Sequence, residues 1–164
     1  MDVPAFIDLE ASGLGGRSHP IEVGLVTAAG QAYCSLLLPD PGWTHWDSRA
    51  ESVHGISQPI LAVHGKPLPE VAASVNALLE GTTAYSDAWG NDYAWLCKLY
   101  DAAGTPMRFR VESLRKLLTD AEAERWAEVK ARVAAELNFT RHRASNDARI
   151  LQQTLARIKR GTEL

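Results

Sequence analysis

The sequence predicts a mixed α/β layer fold, in which a partly antiparallel sheet is flanked by helices. Three strand-like segments follow one another within the first 38 residues, a further strand-like segment lies between two segments of helical spacing, and the rest of the chain has helical spacing alone. A doubly wound parallel sheet would alternate strands and helices throughout, so this order disfavours it.

The composition is that of one ordinary domain, and we expect residues 1–164 to form a single unit. A hydrophobic fraction of 46% in 164 residues is enough for a core. The net charge of −3 disfavours a protein that coats nucleic acid by charge, but an enzyme that grips only a strand end needs few phosphate contacts. With no long apolar run and no signal-peptide pattern, we expect no membrane span and a cytoplasmic location, where Cys34 and Cys97 would be buried, reduced thiols.

The first strands are predicted from short apolar segments separated by turn residues. Residues 5–9 (AFIDL) follow a proline and read as a buried strand. The segment 11–20 holds three glycines and two serines and is predicted to be a loop. Residues 21–27 and 31–38 are predicted as further strands with a turn at 28–30, which together indicate an antiparallel meander.

The rest of the chain is predicted to be mostly helical. Residues 39–69 are irregular and rich in proline, tryptophan and histidine, and a loop this long is usually functional or folded on itself. One short strand is predicted at 82–86. Helices are predicted at 69–79, at 91–103 with a stop at Gly104, at 112–118, at 120–137, and from a cap at Ser145-Asn146-Asp147 to about Lys159.

Asp8 and Glu10 lie one residue apart at the end of the first predicted strand. The two-residue period of a strand puts both side chains on the same face. Two acids on one face at the end of a buried strand are costly unless a cation lies between them, and carboxylate oxygens are ligands for hard divalent ions. A solvated pair at a strand end is the alternative that these two residues leave open.

Two further acids and one histidine stand near predicted helix starts. Asp92 lies in the opening turn of the helix at 91–103, and Asp147 lies at the start of the last helix. Either acid alone is explained as a helix cap or a dipole partner. His142 alone is explained as a surface histidine among arginines, although an imidazole near a metal-bound water could serve as a general base near neutral pH.

Taken together, these residues resemble the three exonuclease motifs of the DnaQ-like family, which is called DEDDh after its four acids and one histidine. Residues 6–14 (FIDLEASGL) with 20–24 (PIEVG) resemble the first motif. Residues 91–96 (NDYAWL) resemble the second and 142–148 (HRASNDA) the third, while 54–56 (HGI) resembles a short loop motif of many members. The resemblance extends over most of the chain, from about residue 5 to 155.

The match has departures from the family pattern. Ala11 and Ser12 stand where threonines are frequent, and Asp87-Ala88 stands where many members carry His-Asn. Asp87 therefore competes with Asp92 for the third acid position. We prefer Asp92, because aromatic and leucine positions that fit the helix pattern follow it.

The resemblance implies an RNase H-like fold and a 3′–5′ exonuclease domain covering 1–164, acting on single-stranded RNA or DNA ends and releasing nucleoside 5′-monophosphates. It implies that Asp8, Glu10, Asp92 and Asp147 bind two Mg²⁺ or Mn²⁺ ions and that His142 is the general base. It further implies that a set of loop residues binds the terminal nucleotide, and it is compatible with a homodimer. That set consists of Ser12, Gly13, Leu14 and His54.

Several alternatives stay open from the sequence. The same metal site could serve a phosphohydrolase of free nucleotides or short oligonucleotides. A non-catalytic nucleic-acid-binding relic should have lost at least one of the five residues, and a plain α/β domain with acids as caps would not explain their order. Trp43, Trp46 and Trp89 could stack on bases, although tryptophan more often packs in cores and loops.

Overall fold

A mixed five-stranded sheet forms the centre of the protein, for which a computed structural model describes residues 3–139 and 142–161. The strand order is β3-β2-β1-β4-β5; β2 pairs antiparallel with β1 and β3, and β4 pairs parallel with β1 and β5. The strands are β1 (Ala5–Ala11), β2 (Pro20–Val26), β3 (Ala32–Leu36), β4 (Thr83–Ser86) and β5 (Arg110–Ser113). The predicted mixed α/β architecture, with its antiparallel meander, is confirmed.

Helices cover both faces of this sheet. They are α1 (Ser48–His54), α2 (Gln58–His64), α3 (Leu68–Leu79), α4 (Trp89–Ala103), α5 (Asp120–Leu137) and α6 (Ala144–Lys159). Successive residues of β1 point to opposite faces of the sheet. Ile7 and Leu9 pack in the hydrophobic cluster that contains residues of α3 and α4, whereas Phe6 packs with residues of α6. By the same alternation, Asp8 and Glu10 share the α6 face with Phe6. None of the helices in the described residues is long and apolar enough to cross a membrane.

The prediction of an irregular segment at 39–69 was wrong in part, because the segment contains α1 and α2. Each helix has only seven residues and would be marginal in isolation. Asp47 and Ser57 cap their N-termini, and Gly55 ends α1 in the left-handed region. Packing of Leu61 against Ile21 then stabilises these helices on the sheet, which the local sequence does not reveal.

The helix predicted at 112–118 was also wrong. Residues Arg110–Ser113 form β5, and a 3₁₀ turn follows at Leu114–Leu117. Val111 pairs with Ala84 of β4, so pairing with a distant strand determines the conformation. A four-residue edge strand is too short to show an alternating pattern of its own.

The last helix begins at Ala144, before the predicted cap. Ser145-Asn146-Asp147 lies within its first turn, and Arg143 at the N-cap position makes no side-chain cap. The Ala144 N–H donates instead to the carboxylate of Glu22, at 2.8 Å. The prediction of buried cysteines was wrong as well: Cys34 is exposed on the edge strand β3, and Cys97 is half-buried on α4.

Candidate active site

The end of β1 places two acids beside β2. Asp8 lies opposite Gly24 and Glu10 lies directly opposite Glu22 in the antiparallel register. The register shifts between Glu10 and Ala11, and such bulges re-aim side chains at the ends of strands. Both predicted β1 acids are half-buried on the face that α6 covers.

Asp92 lies in the first turn of α4 and is almost completely buried, with 1% of its surface exposed. The Ser86 hydroxyl, at the end of β4, donates a hydrogen bond to Asp92 Oδ2. Asp92 Oδ1 is buried and has no hydrogen-bond partner among the described residues. A buried carboxylate oxygen without a protein partner is costly, and a bound cation would offset this cost.

Asp87 lies in a different environment from Asp92. It is exposed and forms an ion pair with Lys130 of α5. Both acids line the same cavity. The ion pair offsets the charge of Asp87 while one oxygen of Asp92 stays unpaired, so the geometry favours Asp92 over Asp87 as the third acid.

The start of α6 crosses β2 at very short distance. A Cβ at Gly24 would lie 2.0 Å from the backbone nitrogen of Ser145, so only glycine permits this approach. Glu22, which is completely buried, accepts hydrogen bonds from Arg143 Nε at 2.9 Å and from the Ala144 N–H. These contacts fix the helix start whose first turn carries Asp147.

His142 precedes α6 in an unusual backbone conformation. Its φ of 58° lies in the left-handed region, which few residues other than glycine adopt. The nearest ligand atoms of His142, Glu10 and Asp147 all lie within 4.8 Å of one another. Glu10 of β1 thus lies close to His142 and Asp147, although more than 130 residues separate it from them in the sequence.

The four acids and the histidine line one cavity of about 230 Å³. Burial, followed by repulsion from Asp92, Asp147 and Glu10, raises the pKa of Asp8 well above its usual value. Burial and then repulsion from Asp147 and Glu22 raise the pKa of Glu10 to about 7. Such a set of mutually repelling carboxylates fits a divalent cation, whose charge would favour the ionised forms.

The pKa of Asp92 is also raised, mainly by burial. The Ser86 hydrogen bond opposes this rise, because it stabilises the ionised carboxylate, whereas the charge of Asp87 adds to it. Ser86 therefore keeps Asp92 more acidic than burial alone would allow.

A larger cavity of about 610 Å³ adjoins the acidic one. Leu9, Glu10 and Trp95 line both, so the two cavities form a continuous groove. Leu14 and Val53 line the larger cavity and are 74% and 54% exposed, which gives it apolar walls open to solvent.

Three of the four predicted nucleotide-binding residues line this larger cavity: Gly13, Leu14 and His54. The His54 Nε2 atom is buried without a hydrogen-bond partner among the described residues, and burial lowers the pKa of this imidazole. Gly13 has a φ of +149°, and a Cβ there would lie 2.7 Å from the His45 ring.

Ser12 differs from the other three, because its side chain is buried and is not among those that line the cavity. Its hydroxyl accepts a hydrogen bond from the His19 N–H at 3.1 Å and lies 3.0 Å from His45 Nδ1. The Ser12 side chain therefore braces the loop, and a direct contact of Ser12 with substrate stays a prediction.

Sequence reasoning missed residues whose roles depend on distant contacts. Glu22 lies within the first motif, but its partner Arg143 is 121 residues away. Val53 and Lys130 occupy helical positions that carry no motif. Ser86 lies before the second motif, and the only sequence signal for it is a hydroxyl residue directly before Asp87.

No family model matches the chain, and no curated protein sequence matches it. Solved structures of exonuclease I are nevertheless similar in fold. The enzyme from Methylocaldum szegediense has a TM-score of 0.72 at 13% identity, over 96% of this chain and 41% of that protein. Exonuclease I of E. coli in complex with a dA16 oligonucleotide has a TM-score of 0.68 at 11% identity, over 93% of this chain and 40% of that protein.

A zinc-ion-bound form of the E. coli exonuclease I complex with single-stranded DNA is similar as well, with a TM-score of 0.67 at 13% identity over 96% of this chain. The chain thus spans about two fifths of the length of these proteins. At such identities the likeness establishes a common fold, and the predicted RNase H-like architecture is confirmed.

Proposed function

We propose that the chain is a metal-dependent 3′–5′ exonuclease that releases nucleoside 5′-monophosphates from the ends of single-stranded RNA or DNA. The observation that carries the proposal is the convergence of four acids and a histidine, from β1, α4 and the segment at the start of α6, on a single cavity. The common fold with exonuclease I structures, one of them bound to an oligonucleotide, supports the same activity.

Asp8, Glu10, Asp92 and Asp147 would hold two divalent cations, Mg²⁺ or Mn²⁺. The unpaired Oδ1 of Asp92 and the raised pKa of Glu10 fit this donor set, because a cation would offset the cost of both. Bound divalent ions would polarise the phosphate and lower the pKa of a water molecule, so that on losing a proton it can attack phosphorus while the bond to the 3′ oxygen of the preceding nucleotide breaks.

His142 would accept the proton of the attacking water. Its ring lies next to Glu10 and Asp147 and is partly exposed, so a proton that it takes up can pass to solvent.

The larger cavity would hold the terminal nucleoside. Its volume of about 610 Å³ falls in the usual range for small-ligand sites. Leu14 and Val53 would contact the flat faces of the base, a form of recognition that does not depend on base identity. His54 would form part of the wall beside the sugar or the phosphate.

The experiment that tests this proposal is gel analysis of labelled single-stranded RNA and DNA oligomers with free or blocked 3′ and 5′ ends, in Mg²⁺, Mn²⁺ or chelator. We expect 5′-labelled oligomers with a free 3′ end to shorten one nucleotide at a time, and chelator to stop this. The variant Asp147→Asn should be inactive, whereas Asp101→Asn, on the exposed side of α4, should keep wild-type activity.

Three outcomes would contradict the proposal. Shortening from the 5′ end would overturn the polarity, and full activity in chelator would overturn the metal requirement. Hydrolysis of free nucleotides or dinucleotides alone, with longer oligomers untouched, would instead assign the site to a small-molecule phosphohydrolase.

A further inference from the structure

Trp89 and Tyr93 form a stacked aromatic pair on the surface at the start of α4. Their ring centroids are 5.6 Å apart and their planes differ by 13°. Trp89 is 41% and Tyr93 is 42% exposed, and no other phenylalanine, tryptophan or tyrosine in residues 3–139 and 142–161 is as exposed. Neither ring belongs to a core cluster. Ring surface of this extent is therefore available for another flat group.

The pair is held in place before anything binds. The Trp89 indole N–H donates a 2.9 Å hydrogen bond to the Val111 carbonyl in β5. Tyr93 lies four residues further along α4, on the same side of the helix, where it stacks on Trp89. A preorganised aromatic surface binds a flat partner at a smaller entropic cost than two mobile side chains would.

The position of the pair relates it to the groove. The larger cavity and the acidic cavity are continuous through Glu10 and Trp95. The acidic cavity is also lined by Ala88, the N-cap residue of α4, and by Asn91 in the first turn of α4. These two residues lie on either side of Trp89 in the sequence, and neither lines the larger cavity.

We propose that the Trp89–Tyr93 pair is a stacking site for a base of the single strand on the 5′ side of the scissile bond. This inference rests on the proposed function: with the terminal nucleoside between Leu14 and Val53 and the scissile phosphate at the acids, the strand leaves past Ala88 and Asn91. Every base has a flat face, so this contact tolerates any sequence. The pair would thereby hold the shortened strand after each cleavage.

The test is a binding cycle that combines protein variants with abasic substrates. Fluorescence anisotropy of 5′-labelled single-stranded oligomers, in chelator to prevent hydrolysis, gives Kd for each combination. We expect Tyr93→Ala and Trp89→Ala to raise Kd on the order of tenfold. Trp89→Phe, which keeps a ring, should lose less, and Val63→Ala, on the exposed face of α2, should bind as wild type does.

An abasic site is then placed in turn at each of the last four nucleotides. At one of the positions upstream of the terminal nucleotide, the abasic site should weaken binding to the wild type. The same abasic site should not weaken binding to Tyr93→Ala any further, because both changes remove the same contact. Tyr93→Ala is the decisive variant, since it leaves the Trp89–Val111 hydrogen bond intact, and thermal unfolding verifies that it is folded.

The outcomes separate this inference from the proposed function. If the wild type degrades oligomers and the variants bind them equally well, or if the coupled position is the terminal nucleotide, the stacking site is wrong and the exonuclease proposal stands. If the variants bind oligomers as tightly as the wild type does, the exposed aromatic pair would instead be a candidate contact for another protein. If the wild type neither binds nor degrades oligomers, both proposals fail.

Discussion

Glu10 and Glu22 lie directly opposite each other on β1 and β2, but among residues 3–139 and 142–161 only Glu22 has a guanidinium bound to it, with Arg143 Nη2 at 2.7 Å. Like charges at such a position repel each other. Arg143 offsets the charge of the completely buried Glu22, whereas Glu10 faces further acids and acquires a pKa of about 7. The carboxylate of Glu22 thus stabilises the start of α6, whereas that of Glu10 lines the acidic cavity.

Replacing Glu22 by glutamine should lower activity and shift its pH dependence. The amide retains an acceptor for the Ala144 N–H but loses the charge that holds Arg143. Repulsion from Glu22 raises the pKa of Glu10 by more than attraction to Arg143 lowers it, so Glu10 should ionise at lower pH in the variant even if Arg143 moves away. The acid limb of kcat/KM should therefore move to lower pH, while Glu70→Gln, in an exposed pair, should leave the profile unchanged. An unaltered acid limb would contradict this coupling.

Replacing Ser86 by alanine should shift the same limb in the opposite direction. The Ser86 hydroxyl stabilises the ionised form of Asp92, so its loss raises the pKa of that carboxyl further. We expect the acid limb to move to higher pH and the affinity for Mg²⁺ at neutral pH to fall about tenfold, as for other groups that orient metal ligands. Pre-steady-state rates over a Mg²⁺ series measure both effects. Ser74→Ala, whose hydroxyl bonds only to its own helix, is the control, and equal Mg²⁺ affinity in Ser86→Ala would refute the role.

Replacing Gly24 by alanine should destabilise the protein and abolish most of its activity. The added methyl group would lie 2.0 Å from the Ser145 nitrogen, so the start of α6 must move and carry Asp147 with it. Overpacking of this kind costs about 1–3 kcal/mol or more, which denaturant unfolding detects. The matched variant is Gly90→Ala on α4, where nothing lies within 4 Å of an added Cβ. Wild-type turnover in Gly24→Ala would show that α6 need not approach β2 so closely.

Divalent cations should stabilise the protein more at high pH than at low pH. The pKa of Glu10 is raised by folding from 4.5 to about 7, and those of Asp8 and Asp92 are raised as well. The folded state therefore binds more protons than the unfolded state between these values, and the free energy of unfolding in chelator should fall as pH rises from 4.5 through about 7. Mg²⁺ should restore stability at pH 8 and have little effect at pH 5. Urea unfolding at both pH values measures this, and equal effects of Mg²⁺ would contradict it.

Replacing His142 by alanine separates proton transfer from cation binding. As a general base, His142 should contribute about 10²–10⁴-fold to kcat, and cation affinity should change little. Isothermal titration with Mn²⁺ and single-turnover kinetics measure the two effects separately. Because its ring nitrogen lies within 4.8 Å of ligand atoms of Glu10 and Asp147, a large loss of Mn²⁺ affinity would instead make His142 a metal ligand.

The elements that could be predicted are those whose determinants are local. The helix Asp120–Leu137 matches the prediction at both ends, because Thr119 and Glu122 form a capping box and Asn138 ends the helix in the left-handed region. Gly104 ends α4 as expected. The strand β5 could not be predicted, since its conformation depends on pairing with β4.

The same distinction holds for the candidate site. Motif order selects Asp8, Glu10, His142 and Asp147, and the helix pattern that follows Asp92 favours it over Asp87. The structure brings these residues to one cavity, and their catalytic roles stay predictions. The supporting contacts of Glu22 and Ser86 join separate elements, and sequence spacing carries no information about them. The apolar wall at Val53 belongs to a helix too short to be predicted.

The crossing of α6 over β2 at Gly24 also determines when the cavity can form. Asp8 and Glu10 are synthesised with the first strand of the sheet, whereas His142 and Asp147 follow only after every strand of the sheet has been synthesised. A nascent chain that has made its sheet but not this helix therefore carries an incomplete set of acids. Under the proposed function, hydrolysis would therefore begin only after the last helix has been synthesised and has packed on the sheet.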